Sequence, residues 1–186
     1  MRKLIIGITG TFGSGKSTVA KILRKHALVV DADRLAKRLA GGRKIRSMIK
    51  KQFKTADRRR LADIVFSDRK KLARLNRIIH PEVRKEIRNI AKKSRKHVII
   101  DAPLLVEAGF LDELDFLLVI ACDPQKRASR LVKKGFSEEE INARTRFQLS
   151  EEEKMKHADC IIDNSGSLAS TKKQVEKIWK RITKLT

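Results

Sequence analysis

Leu4-Ile5-Ile6-Gly7-Ile8-Thr9-Gly10-Thr11-Phe12-Gly13-Ser14-Gly15-Lys16-Ser17-Thr18-Val19-Ala20 is the stretch that decides the fold. Its opening residues are apolar or glycine, which predicts a strand over 4–8 covered on both faces. From Gly10 the spacing becomes G-x-x-x-x-G-K-[ST], and a helix is expected to begin near Lys16. A strand, a glycine-rich turn and a helix in that order aim consecutive backbone N–H groups at one point, at the positive end of a helix dipole. Such a cradle suits phosphate oxygens. Gly10, Thr11, Phe12, Gly13, Ser14, Gly15, Lys16, Ser17 and Thr18 are therefore the candidate nucleotide-binding residues. Lys16 is suited to neutralising the β and γ phosphates and the Ser17 hydroxyl to ligating Mg²⁺. The loop alone does not choose between ATP and GTP.

Working outward, four more short apolar runs read as strands, at 28–30, 98–101, 116–121 and 160–162. Amphipathic segments alternate with them, which predicts an α/β protein: a three-layer fold with a five-stranded parallel sheet. Between the second and third strands lie about sixty residues without a strand pattern. There Leu61, Ile64, Val65, Leu72, Leu75, Ile78 and Ile79 recur at helical spacing, so residues 34–96 read as a helical insertion. Pro81 fits the first turn of a separate helix over 82–96. Asp123 and Pro124 start a helix that Gly135 ends, and Ser137-Glu138-Glu139-Glu140 resembles a capping box. A last helix is expected over 170–184. The chain then reads as one domain, with a nucleotide core of 1–33 and 97–186, the insertion 34–96, and a lid at about 135–156.

The 186 residues carry 45 Lys and Arg against 22 Asp and Glu, a formal charge of +23. Residues 34–96 hold 24 basic and 5 acidic side chains, +19, whereas residues 97–186 balance at 15 and 15. A field of this kind attracts polyanions, among them a phosphorylated small molecule or nucleic acid. Aromatic residues make up only 4% and form no stacking platform, which argues against single-stranded nucleic acid as a specific partner. No apolar run reaches the roughly 20 residues of a membrane helix, and no targeting signal is read. Cys122 and Cys160 stand apart without metal-ligand or CxxC spacing. A cytoplasmic protein without a membrane partner is expected.

Asp31 and Asp33 follow the second strand at its C-terminal end, the edge at which open α/β sheets bind ligands. Either carboxylate could orient and deprotonate an attacking hydroxyl. Asp31 could equally cap the helix that begins near Arg34. Asp101 ends the third strand as a second candidate acid near Mg²⁺, or as a turn cap. Arg127, Arg130 and Lys134 share a helical face, either solvated or turned toward a transferring phosphoryl group, and Arg144 lies further along the lid.

Taken in order, these residues resemble the bacterial-type dephospho-CoA kinases, relatives of the nucleoside monophosphate kinases. The matching motifs are the loop from Ile8-Thr9-Gly10 to Val19-Ala20, Val30-Asp31-Ala32-Asp33, Asp57-Arg58, Ile64-Val65-Phe66 and Leu75-Asn76-Arg77-Ile78-Ile79-His80-Pro81. They continue with Asp101-Ala102-Pro103-Leu104-Leu105-Val106-Glu107, Arg130, Arg144 with Gln148, Lys154, Ala158-Asp159 and Asp163-Asn164-Ser165-Gly166. The resemblance implies transfer of the γ-phosphoryl of ATP to the ribose 3′-hydroxyl of dephospho-CoA, with Mg²⁺. It implies Asp33 as base, Lys16, Arg130 and Thr9 as catalytic, and Ser17 and Asp101 toward the metal. Asn164, Ser165 and Gly166 would pass near the adenine. His80 and Pro81 belong to the acceptor part, with Asp31, Leu104 and Glu107 also toward the substrate. The chain departs from the pattern at Thr11, usually glycine, at Arg127, commonly glutamine, and in a shortened segment between Asp33 and Asp57. Another small-molecule P-loop kinase and a nucleic-acid-binding ATPase are the competing readings.

Overall fold

The computed structural model describes residues 2–184. The residues up to Val30 together with those from Lys93 onward form one compact unit, and Asp31–Lys92 a second. The division falls a few residues before the boundaries expected from the sequence, 33/34 and 96/97.

In the first unit, β1 (Ile5–Thr9), β2 (Leu28–Asp31), β3 (Val98–Asp101), β4 (Phe116–Ala121) and β5 (Cys160–Asp163) make one sheet in the order β2-β3-β1-β4-β5. The sheet is parallel, with Ile6 beside Ile99 and Phe116, and Leu118 beside Cys160. All five strands lie where their apolar runs put them, within a residue at each end. Alternation explains the two covered faces. Ile6, Ile8, Ile99, Leu118, Ile120 and Ile162 pack with Val19 and Leu23 of α1 (Lys16–Leu23). Val175, Trp179 and Ile182 of α9 (Leu168–Thr183) complete that cluster. Gly7 points the other way, where a methyl group would press against Leu105, Leu114 and Leu117. Each fully buried aliphatic side chain contributes about 1.5–3 kcal/mol, so this layer is a principal source of the fold's stability.

The second unit consists of α2 (Ala32–Ala40), α3 (Arg43–Phe53), α4 (Arg58–Phe66) and α5 (Arg69–Lys93), around Leu35, Ile45, Ile49, Val65, Val83 and Ile87. The periodic residues at 61–79 supply only Val65 to the fully buried set; the others are half-buried. One expectation fails here. Pro81 does not open a new helix but sits inside the 25-residue α5. A proline forgoes one backbone hydrogen bond and costs roughly 3 kcal/mol in a helix interior. The stripe continuing through Val83 and Ile87 keeps the helix whole by burying apolar area beyond it.

The later helices start where their caps say. Asp123 caps α6 (Pro124–Val132) at Lys126 N, with Pro124 in the first turn, and Gly135 follows at φ +84°. Ser137 and Glu140 form the expected capping box of α7 (Glu138–Thr145), and Ser150 and Glu153 form a second on α8 (Glu151–Met155).

Candidate active site

The phosphate loop leaves β1 and enters α1 through backbone that only glycine adopts easily. Gly13 and Gly15 stand at φ +86° and +94°. Gly15 is the N-cap of α1, and a side chain there would overlap the Asn164 amide. The turn is closed by Ser14 N donating to Thr11 O at 3.1 Å. Ser14 Oγ is buried and finds no hydrogen-bond partner, an orphan hydroxyl inside the cradle. Lys16 is the first residue of α1 and half-buried, Ser17 is exposed and Thr18 half-buried.

Asn164 is a support of this loop. Its Nδ2 donates to Ser14 O at 2.8 Å and its Oδ1 accepts from Thr171 Oγ1 at 2.9 Å. The side chain assigned to the adenine is thus bonded on both sides within the protein. Ser165 Oγ accepts from Asp123 N, and Ser165 N donates to Asp163 Oδ1; the Asp163 carboxyl is held below its ordinary range first by the Ser165 hydroxyl and then by the Ser165 backbone N–H. Arg130 Nη1 donates to Asn164 O at 2.7 Å and Nη2 reaches Gly166 O at 3.5 Å. In this structure the Arg130 guanidinium therefore fastens the 164–166 turn to α6.

On the other side of β1, Asp101 pairs in register with Ile8 and ends its strand beside the base of the loop. The segment after it is gripped through a single carbonyl: Pro103 O accepts from Thr9 Oγ1 at 3.1 Å and from Lys154 Nζ at 2.5 Å. Thr9 is wholly buried, and its hydroxyl positions the 103–107 segment. Lys154 is also wholly buried, and its ammonium meets Glu107 Oε1 at 2.6 Å. Burial pushes its pKa below the ordinary lysine value, and Glu107 opposes that shift. Glu107 Oε1 further accepts from Leu149 N at 2.8 Å, whereas its buried Oε2 has no partner. Glu107, expected toward the substrate, thus ties the 103–107 segment to α8 through a buried ion pair. Leu104 is half-buried in that segment.

Phe136, Arg144 and Gln148 approach the loop from their own side. Phe12 N donates to Gln148 Oε1 at 3.0 Å. The Arg144 guanidinium lies 5.0 Å from the Phe12 ring and 4.9 Å from Phe136, and the two rings meet edge-on. The negative potential over an aromatic face attracts such a cation. Arg127, Thr11 and Glu151 complete the loop's surroundings. Glu151 carries no local sign of this role in the sequence, because its partners are 29 and 140 residues away in the chain.

In the second unit, Asp31 Oδ1 accepts from Arg34 N at 2.8 Å, so it caps α2, the role held open for it from sequence. Asp33 is exposed in the first turn of the same helix. His80 and Pro81 lie in mid-α5. Burial, and then the nearby Arg84 cation, hold the His80 imidazole below its ordinary pKa.

Among the described residues no three His, Cys, Asp or Glu side chains gather as a metal cage. Ser17 in the first turn of α1 and Asp101 at the end of β3 are oxygen donors of the kind Mg²⁺ takes, an ion that keeps waters and phosphate oxygens as most of its ligands. Among the described residues no helix is long and apolar enough to cross a membrane.

Residues 4–170 match the family model described as dephospho-CoA kinase. The chain is 40% identical over 191 residues to the dephospho-CoA kinase of Aquifex aeolicus, covering 96% of this chain and 97% of the relative. A crystal structure from Thermus thermophilus superposes with a TM-score of 0.85 at 37% identity, covering 100% of both chains. The dephospho-CoA kinase from Campylobacter jejuni gives 0.61 at 26% identity and 97% of each.

Proposed function

The chain belongs to the dephospho-CoA kinase family, and from that premise we infer that it transfers the γ-phosphoryl group of ATP to the 3′-hydroxyl of dephospho-CoA. It is an ATP-dependent phosphotransferase with an alcohol acceptor, and it serves the last step of coenzyme A biosynthesis. The observation that carries this reading is the phosphate loop at the end of β1, opening α1 inside the family match.

Our assignment of roles follows from chemistry. Lys16 and the loop N–H groups hold the triphosphate and balance charge as it moves to the bridging oxygen. Asp33 takes the proton of the acceptor hydroxyl; it comes two residues after the end of β2, whose C-terminal end lies on the same sheet edge as that of β1. Ser17 and Asp101 would hold Mg²⁺, which supplies charge neutralisation at the β and γ phosphates. Arg130 carries cationic charge on α6 and shapes the 164–166 turn beside which the adenine would lie, with Ser165 and Gly166 contributing backbone. Thr9, Leu104 and Glu107 act through the 103–107 segment. The Asp31–Lys92 unit, with Asp31, His80 and Pro81, takes the acceptor; its positive charge suits a diphosphate-bearing substrate. A small-molecule substrate and a cytoplasmic setting complete the proposal, without a specific nucleic-acid partner.

The test is to incubate the protein with ATP, Mg²⁺ and either dephospho-CoA, AMP or single-stranded DNA, following ADP release and CoA formation. CoA should appear in the first mixture alone. A folded protein that forms none sinks the reading. Asp33→Asn should lower kcat at least a hundredfold, on the order expected for loss of a general base, with ATP affinity retained; undiminished turnover removes Asp33 from the base role.

A further inference from the structure

Thr11 of the loop and Arg127 of α6 are bonded to each other. Arg127 Nη1 donates to Thr11 Oγ1 at 2.6 Å, across 116 residues of chain. The same hydroxyl faces Glu151 Oε2 at 3.4 Å, and Arg127 Nη1 stands 3.9 Å from that oxygen. A guanidinium only donates and a carboxylate only accepts, so the threonine hydroxyl is oriented from both sides. Glu151 Oε2 is itself anchored, accepting from Cys122 N at 3.1 Å just beyond β4. Arg127 and Glu151 are three-quarters or more shielded from water, and Thr11 is buried. A side chain at Gly13 would strike Arg127 Cγ and Leu131, so α6 also closes against the far end of the turn.

We propose that Thr11, Arg127 and Glu151 are a positioning network for the nucleotide, with Thr11 and Arg127 acting as one coupled pair. The network holds the turn at residues 10–13, whose Phe12 N is already taken by Gln148 Oε1, in its folded shape, so the loop does not have to be ordered by the nucleotide itself. Glu151 balances the charge of Arg127. If the arginine is removed, a carboxylate remains beside the loop to repel phosphate; if the threonine hydroxyl is removed, the cation loses its seat. The inference rests on the loop binding a nucleotide, but not on which alcohol accepts the phosphoryl group.

The experiment is a double-mutant cycle read by the Kd for ATP and for ADP, in fluorescence titrations of the full chain. Thr11→Val and Arg127→Gln should each weaken binding about tenfold, the size expected for one charge-assisted hydrogen bond. The double variant should bind no more weakly than Arg127→Gln alone, and Thr11→Ser should stay within about twofold of the unaltered protein. Adding Glu151→Gln to Arg127→Gln should recover part of the loss. The KM for dephospho-CoA should stay nearly constant, which a general loosening of the fold would not allow. Additive losses, unchanged nucleotide affinity, a Thr11→Ser variant as weak as Thr11→Val, or an acceptor KM that rises in parallel would each overturn the proposal. CoA formation by the unaltered protein is assayed alongside: its absence with the cycle non-additive would defeat the functional reading and leave the network standing.

Discussion

Replacing Lys154 by methionine should be among the most destabilising single changes available outside the phosphate loop. The ammonium is wholly buried and makes two bonds, to Glu107 Oε1 at 2.6 Å and to Pro103 O at 2.5 Å. Methionine fills a similar volume, so the loss is chiefly electrostatic. Glu107 is left with a carboxylate only 15% exposed, whose Oε2 has no partner and whose Oε1 retains Leu149 N alone. Stranding one charge of a buried pair costs about 3–5 kcal/mol. In a chain of this length each kcal/mol corresponds to roughly 2–4 °C, so the melting temperature should fall by about 6–20 °C. Glu107→Gln should cost a similar amount, since Lys154 then keeps only neutral acceptors and no counter-charge. The combined Glu107→Gln/Lys154→Met variant should be more stable than either single one, because neither charge remains and the glutamine oxygen still accepts from Leu149 N. Urea unfolding followed by circular dichroism measures all four proteins. A Lys154→Met loss below about 1 kcal/mol, or a double variant whose loss equals the sum of the singles, refutes the buried-pair reasoning.

The same lysine predicts a pH trend. Its folded pKa lies below the ordinary value because burial disfavours the charge, so over the interval up to the unfolded pKa the unfolded chain binds more protons. This group's contribution to stability should therefore rise with pH through that interval, and its penalty is full below the folded pKa. The stability difference between the unaltered protein and Lys154→Met should grow as the pH is raised toward the ordinary lysine pKa of 10.5; a flat difference contradicts the assignment. Gly15→Ala should weaken ADP binding by at least tenfold, since φ +94° and the Asn164 amide leave no place for a methyl; titration with ADP checks it, and normal affinity would count against the loop geometry. Asp31→Ala should lose about 1 kcal/mol of stability and Asp31→Asn much less, because asparagine also caps. If Asp31→Asn is stable yet turns over poorly, the Asp31 carboxylate acts on substrate as well as on the helix.

The strands, the phosphate loop and the capped helix starts were legible because each is specified by neighbours in the chain. An apolar run of five residues is its own evidence for a covered strand, and Ser137 and Glu140 satisfy one another within a single turn. Pro81 shows where that logic fails. Local chemistry marked a helix start, but the burial of Val83 and Ile87 carries α5 through it. Asp31 reads both as a cap and as a substrate-facing acid in sequence; the fold adds that Arg34 N lies against its carboxylate, which makes it a cap.

What this sequence determined alone is the phosphate-binding frame, five parallel strands with a glycine turn opening α1, because backbone angles and side-chain alternation are set residue by residue. Tertiary structure decided which side chains hold that frame in shape. Thr11 with Arg127 and Glu151, Ser14 with Asn164, and Pro103 with Lys154 lie 51 to 150 residues apart in the chain. A charge in a basic helix, or one glutamate among three, carries no local sign of its partner. Only burial, which removes water as the alternative ligand, selects which of the many cations and carboxylates must be paired.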